Sequence, residues 1–467
     1  MSYSNGSKSK SSSLTPSSFS IGVGAHSLEF YAVDMVSNAS QINRITFELP
    51  FHLSIYGINH KNRILMTVKY PTQPSIPYPK QDILSTQTIL QEIRDMGLNA
   101  IRITMNWEGY RWYKSQGRAS TFLNKVKEIA DTADSLGLGI VYSVMHQWKI
   151  SSVLRVSSTS NNRGTGFPEE CLQPLGLVNL TTPYVYDVPI DGSNNVEMTP
   201  RNIFWRAFRT NYNVTIDGIT KPIWQHIWDD YYKDVVASTI SNRSTIGYEV
   251  LNEPTGILPN MDTYDYIGLG DYSTFIANKI IEFVESVEEN KQVYVFIMPP
   301  HGFRLNNAQI ERVYPDLAGK SNSYKQAELS KRLIFSRVLN SLKEQQRRRI
   351  AFIYNVYGTG QNGYLHQQLI DLLNEYYRIL NELSINIKVI GEWNQSTSIT
   401  TNPTVDTYAN GYLAHFRGRF GWFFFDYDPD YPWTIRDSNY NDKINNSIGL
   451  SYKEILIRAK EEVYGTS

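Results

Sequence analysis

Cysteine is almost missing from this chain: Cys171 is the single one in 467 residues. No intrachain disulfide can form and a cysteine-based zinc site is excluded, so the thiol reads as a packing residue. An excess of charge is missing too, since 45 Lys plus Arg balance 45 Asp plus Glu. No global field draws nucleic acid or an anionic membrane, and the short basic run QQRRRI ending at Ile350 reads as the solvated end of a helix. Long apolar runs are absent, which excludes a bilayer span, and the serine-rich opening MSYSNGSKSKSSSLTPSS lacks the apolar core of a secretory leader. Residues 1–19 are expected to form a flexible tail. No zincin, P-loop, dinucleotide or nucleophile-elbow pattern occurs, and no repeat at solenoid or propeller period. Asp426, Asp428 and Asp430 lack the glycine and distal glutamate of an EF-hand loop and read as a solvated acidic loop. Sequons at Asn38, Asn179, Asn213 and Asn242 are what an Asn- and Ser-rich chain produces by chance.

What remains is the composition of an ordinary folded protein, 41% hydrophobic, 19% charged and 13% aromatic. A chain of this length holds either one large α/β barrel with insertions or two or three smaller domains. From about Phe51 onward, short apolar runs alternate with amphipathic stretches, the pattern of βα units and a parallel sheet. The candidate strands are FHLSIYGI, LNAIRIT, LGIVYSVM, IGYEVL, QVYVFIM, RIAFIYNVY, NIKVIG and RFGWFFF, the number that a closed (β/α)8 TIM barrel needs. STQTILQEIRDMG and FLNKVKEIADTADSLG carry an apolar face and stop at Gly97 and Gly137. Further helices fit Ile223 to Thr239, Tyr272 to Glu288, Gln326 to Arg347, Gly363 to Leu383 and Tyr452 to Val463. SLEFYAV and RITFELP, before Phe51, read as an N-terminal hairpin extension. The stretch of about 149–221 is rich in Ser, Asn, Thr, Gly and Pro and shows no clear periodicity. It is expected to be a long insertion after the third strand, within a single barrel domain of 20–467.

Two apolar runs end in a carboxylate. GYEVLNEPTG breaks at Asn252, Glu253 and Pro254, and NIKVIGEWNQ breaks at Glu392. In a closed barrel all strand C-termini open on one face, so the exits of the fourth and seventh strands converge. Two facing carboxyls suit glycosidic cleavage: one protonates the leaving oxygen, and the other attacks the anomeric carbon or activates water. Arg102, at the exit of LNAIRIT, is placed to keep one carboxylate ionised, and Asn252 to bond a sugar hydroxyl. Taken singly, each has a plainer reading. A lone glutamate after a strand fits a helix cap, Arg102 fits a salt bridge, and His146 in VYSVMHQW fits a hydrogen-bonded strand end. It is the pair of glutamates at matching exits that favours chemistry.

These pieces resemble glycoside hydrolase family 5, the cellulase-like retaining β-glycosidases, from about Phe51 to Asp430. YGIN, NAIRITMNW, MHQW, LNEP and GEW stand in the family's order at the first, second, third, fourth and seventh strands. The resemblance implies that Glu253 is the acid/base and Glu392 the nucleophile of a double displacement, with carboxyls about 5–5.5 Å apart. It also implies that Asn252, Arg102 and His146 support substrate and nucleophile, and that Tyr357 bonds the nucleophile. No metal or organic cofactor is implied. The substrate expected is a β-linked oligo- or polysaccharide, in an extracellular, surface or virion-associated setting, with oligomeric state left open.

Two departures from the family pattern bear on substrate choice. Asn355 in YNVYG stands where the family's sixth strand carries histidine, and Phe425 in GWFFFDYDPDYPW stands where the eighth carries a stacking tryptophan. Among aromatics, Trp107, Trp112, Trp148, Trp393 and Trp433 are candidate sugar platforms, half of them expected to be core; Trp393 and Trp148 are preferred. His301, in MPPHGF, reads equally as a cleft or a loop residue. The rival function is a glycan-binding barrel with little or no turnover on a cell or virus surface, against which the retention of both glutamates argues. Another two-glutamate barrel family would change the sugar and keep the pair.

Overall fold

Eight runs of β-branched and aromatic residues, each followed by a helix long enough to cross back, can pair only in parallel. The computed structural model describes residues 26–30, 43–47, 55–61, 65, 84–159, 163–179, 181–254, 261–288, 291–300, 304–358, 363–395, 402–428, 434–437 and 439–465. Two units divide at Pro50 and Phe51. In the first, His26–Phe30 and Asn43–Phe47 pair antiparallel, with Leu28 opposite Ile45, which is the expected hairpin. The expected tail, His301, Asp430 and Trp433 lie outside the described residues.

The second unit is a closed barrel of eight parallel strands in sequence order. They are β1 (Tyr56–Lys61), β2 (Ala100–Thr104), β3 (Gly139–Ser143), β4 (Thr245–Glu249), β5 (Tyr294–Ile297), β6 (Ile350–Gly358), β7 (Lys388–Gln395) and β8 (Gly421–Phe424). The fold is the (β/α)8 barrel that the sequence predicts. The strand expected at FHLSIYGI is displaced toward its end, because Asn59, His60 and Lys61 are polar yet buried and continue β1. They face partners supplied by other strands and by the residues just after β8, so their polarity is no stop signal.

Helices fall where the apolar periodicity puts them: Thr86–Asp95 behind a Ser85 cap, Ala119–Leu136 closed by Gly137 at φ 67°, and Gln367–Glu382. Ile223 to Thr239 and the first part of Gln326 to Arg347 each carry a π turn. The helix expected from Tyr272 begins at Thr263, where Asp262 and Asp265 form a capping box.

The insertion is more regular than its composition suggests. Thr199 caps a helix of Pro200–Arg209, with proline at the first turn where its missing N–H costs nothing. A hairpin follows, Asn213–Ile216 against Ile219–Pro222. Phe167, Phe204, Trp205 and Phe208 form one aromatic cluster that reaches Tyr272 on the helix after β4. Cys171 is buried here, and burial pushes its thiol well up, as suits an inert packing residue. Among the described residues, no helix is long and apolar enough to cross a membrane.

Candidate active site

Alternate residues of a barrel strand point inward, so one polar layer can be assembled from strands distant in sequence. Arg102 of β2 is its hub and is wholly buried. It lies in register with Asn59 of β1 and donates to Asn59 Oδ1 at 2.7 Å. Toward β4 it donates twice to Glu249 Oε2, at 2.9 and 2.7 Å, and to Asn252 Oδ1 at 2.9 Å. Toward β7 it donates to Glu392 Oε1 at 2.7 Å, and toward β3 to Ser143 Oγ at 3.0 Å. Burial works against its charge, yet Glu249 and Glu392 hold the guanidinium above the ordinary arginine range.

Glu392 is fixed at both oxygens, since Tyr357 of β6 donates to Oε2 at 2.5 Å. Burial pushes the Glu392 carboxyl up, Arg102 pulls it down, and the Glu253 carboxylate raises it again. Gly391, just before it, lets β6 and β7 close: a Cβ there would stand 2.7 Å from Ile353 and 2.8 Å from Asn355. His146 Nδ1 lies 3.4 Å from Ser143 Oγ and 3.9 Å from Glu392 Oε1. Burial, then Arg102 and Lys61, hold its imidazole well below the ordinary value, which makes it neutral.

Glu253 is half-buried beyond the end of β4, with its backbone in the left-handed region at φ 44°. Asn355 of β6, paired in register with Glu392, donates to Glu253 Oε1 and to Asn252 Oδ1, both at 3.1 Å. Asn355 thus bridges the β4 and β7 exits and occupies the place of the expected histidine without a titrating proton. Arg102, His146, Asn252, Glu253, Tyr357 and Glu392 are therefore brought together.

The aromatic expectations fare differently. Trp393 is a correction: it is fully buried among Tyr408, Tyr412, Phe416, Trp422 and Phe424. With Glu392 facing the barrel interior, strand alternation turns its neighbour outward to the helix layer. Trp107 is fully buried as well, and Trp112 packs edge-on to Tyr113. Trp148 is half-buried, its backbone paired with Thr165 at the start of the insertion, outside the hydrogen-bonded cluster. Phe425 lies edge-on to Tyr357, with the Lys61 ammonium 4.3 Å over its ring. That face is taken by a cation. Asp426 and Asp428 are a second correction, since both are buried. Asp426 pairs with Lys61 Nζ at 2.8 Å, while Asp428 accepts from Lys61 N at 2.6 Å and meets His60 Nδ1 at 3.1 Å. Lys61 and His60 at the end of β1 give these carboxylates buried partners.

Sequence reasoning missed Asn59, Glu249 and Gln147. Glu249 is wholly buried, and burial pushes its carboxyl up against the pull of Arg102. Gln147 donates to the carbonyls of Asn252 at 3.1 Å and Glu253 at 2.7 Å. A charge inside the apolar run IGYEVL was the available signal for Glu249; Gln147 had only its place in MHQW.

Two carboxyls so placed are able to do acid–base and nucleophilic work on a glycoside. The crystal structure of an endogalactoceramidase is similar over 86% of this chain and 80% of its own, with TM-score 0.55 and 13% identity. The endo-glycoceramidase II of Rhodococcus sp., in complex with a cellobiose-like imidazole, covers 86% and 78%, with TM-score 0.51 and 14% identity. At such identities these likenesses show the fold alone. A curated endoglycoceramidase of Cyanea nozakii is 31% identical over 231 residues, 47% of this chain and 43% of that protein, so the match spans less than half of the relative's length. The family model described as Cellulase (glycosyl hydrolase family 5) matches residues 66–336, more than half of the chain. The chain therefore belongs to glycosyl hydrolase family 5.

Proposed function

We propose that the protein is a retaining β-glycosidase in which Glu253 is the proton donor and Glu392 the nucleophile, and that its substrate is a β-linked glycoside of the glycolipid type. One observation carries the assignment of roles. Among the described residues, Glu392 has a guanidinium on one oxygen and a phenol on the other, while the Glu253 carboxyl accepts from the neutral amide of Asn355. The first setting favours a carboxylate that attacks; the second gives the group assigned as proton donor a neutral partner.

In the first step Glu392 attacks the anomeric carbon as the Glu253 proton moves to the departing oxygen, giving a glycosyl ester. In the second, water attacks that carbon, its proton goes to the Glu253 carboxylate, and Glu392 leaves as carboxylate. Asn252 gives its carboxamide oxygen to Arg102 and Asn355 and one N–H to the Gln147 carbonyl, at 3.2 Å. Among the described residues its second N–H meets no acceptor, so it can reach a sugar hydroxyl. The substrate class is taken from the endoglycoceramidase that is 31% identical over 231 residues.

The test is release of sugar from glucosyl- and lactosylceramide, β-glucans, β-mannan and xylan, with Glu392→Gln as control across pH. Release from the ceramide glycosides alone, lost in the variant, is the expected result. Release only from a polysaccharide would overturn the substrate class. Binding without release by the wild type would overturn the catalytic assignment in favour of a glycan-binding barrel.

A further inference from the structure

Gln147 stands between the acid/base candidate and the insertion, and nothing in the mechanism above uses its side-chain amide. It is buried, and both ends of its side-chain amide are committed. The nitrogen donates to the main-chain carbonyls of Asn252 and Glu253, at 3.1 and 2.7 Å. The oxygen accepts from the N–H of Ile150 at 3.1 Å. Three non-glycine residues around this amide hold positive φ: Glu253 at 44°, Lys149 at 56° and Ile150 at 71°. For a β-branched residue such as Ile150 that conformation is an outlier, held only where its surroundings over-determine it.

The surroundings do so. Ile150 also gives its carbonyl to Phe167 N at 2.7 Å, and Trp148 and Thr165 exchange two backbone bonds at 2.9 and 2.8 Å. Gly166, at φ 139°, lies so close that a Cβ there would stand 2.5 Å from the Gln147 Cβ. The first loop of the insertion is thereby clamped onto Gln147, and Gln147 onto the peptide planes on either side of the Glu253 Cα. Fixing those planes fixes the direction in which a left-handed Glu253 projects its carboxyl.

We infer that Gln147 is a positioning residue for the proton donor, through which the insertion sets the aim of Glu253. The inference rests on the reading of Glu253 as acid/base. A side chain that orients a general acid matters most when the leaving group needs a proton and hardly at all when it does not. A purely structural residue would depress both cases alike.

The experiment compares phenyl and 2,4-dinitrophenyl β-lactosides, or the same aryl glycosides of whichever glycone the release panel identifies. Gln147→Met keeps the unbranched shape and removes the amide; Glu253→Ala is the reference, and melting temperatures check folding. Gln147→Met is expected to lower kcat/KM about 10–100-fold on the phenyl glycoside, the scale of a misplaced catalytic group. On the dinitrophenyl glycoside the loss should stay within about threefold. Equal losses on both, or none on either, would overturn the inference. Should Gln147→Met fail to fold, Gln147→Glu is read in the same way, since an ionised carboxylate cannot donate to the two carbonyls. If Glu253→Ala itself shows no leaving-group selectivity and no azide rescue, it is the acid/base reading that fails, whatever Gln147 does. A wild type silent on every aryl glycoside would sink both together.

Discussion

In its proposed role of nucleophile, the carboxyl of Glu392 stands between the Arg102 guanidinium and the Tyr357 hydroxyl, which favour its charged form while burial pushes its proton affinity up. Only the ionised form attacks, so kcat/KM should rise with pH as Glu392 loses its proton. Tyr357→Phe removes a hydrogen bond to the charged form, worth about 1.5–3 kcal/mol. At about 1.4 kcal/mol per unit, the acid limb of the profile should move up by roughly one to two units. A pH–rate profile of the two proteins checks it, and an unmoved acid limb would take Tyr357 out of this role. At this scale the sequence was readable where a residue type and a strand exit coincide: Glu253, Glu392 and Arg102 each end or interrupt an apolar run. Glu249 also interrupts one, four residues before Glu253, but a charge inside a strand reads as a fault until its partner on β2 is known. Gln147 stayed hidden because its importance lies in which carbonyls it meets, and a neutral amide leaves no trace in periodicity.

At the scale of single elements, strand parity explains both the success and the error. The same alternation that turns Glu392 inward buries Trp393 behind it, so the residue next to a catalytic candidate is the one least able to meet the substrate. Helix Trp107–Ser115 shows what aromatic content concealed: NWEGYRWY was read for its rings, while its anchor is Glu108 in the first turn. Glu108 accepts from Ser152 Oγ and lies 3.3 and 3.4 Å from the N–H groups of Ser152 and Gly166, so it ties the insertion to the helix that follows β2. Burial pushes its carboxyl up to about 8, against those donors. A carboxyl that binds its proton more tightly when folded stabilises the fold fully below the ordinary value near 4.5, and that stability drains away as pH rises to about 8. At about 1.4 kcal/mol per unit the loss is at most about 4–5 kcal/mol. Glu108→Gln, which does not titrate, should show a flatter change in unfolding free energy between pH 5 and 8 than the wild type, measured by chemical denaturation. Parallel slopes for the two proteins would mean that Glu108 does not carry the effect.

For the barrel unit as a whole, the question is whether the insertion is an appendage or part of the same cooperative structure. Its irregular composition suggests the former, because serine, asparagine and proline between short apolar groups give no period to follow. Its aromatics argue for the latter. Phe208 is fully buried, with its ring 4.9 Å from Tyr272 on the helix after β4 and 5.4 Å from Trp205 within the insertion. The insertion therefore shares a core with the helix layer around the barrel, and with Gln147 and Glu108 it touches the site at one end and the helix after β2 at the other. A segment whose packing is shared in this way loses its own stability only when its host does. Phe208→Ala should cost about 3–5 kcal/mol by the removal of a buried ring. We expect that loss as a single thermal transition, lowered as a unit and followed identically by far-ultraviolet circular dichroism and by tryptophan fluorescence. An early, separate transition with the main one unmoved would instead mark the insertion as a module that folds alone, and would free the aim of Glu253 from the fate of the barrel core.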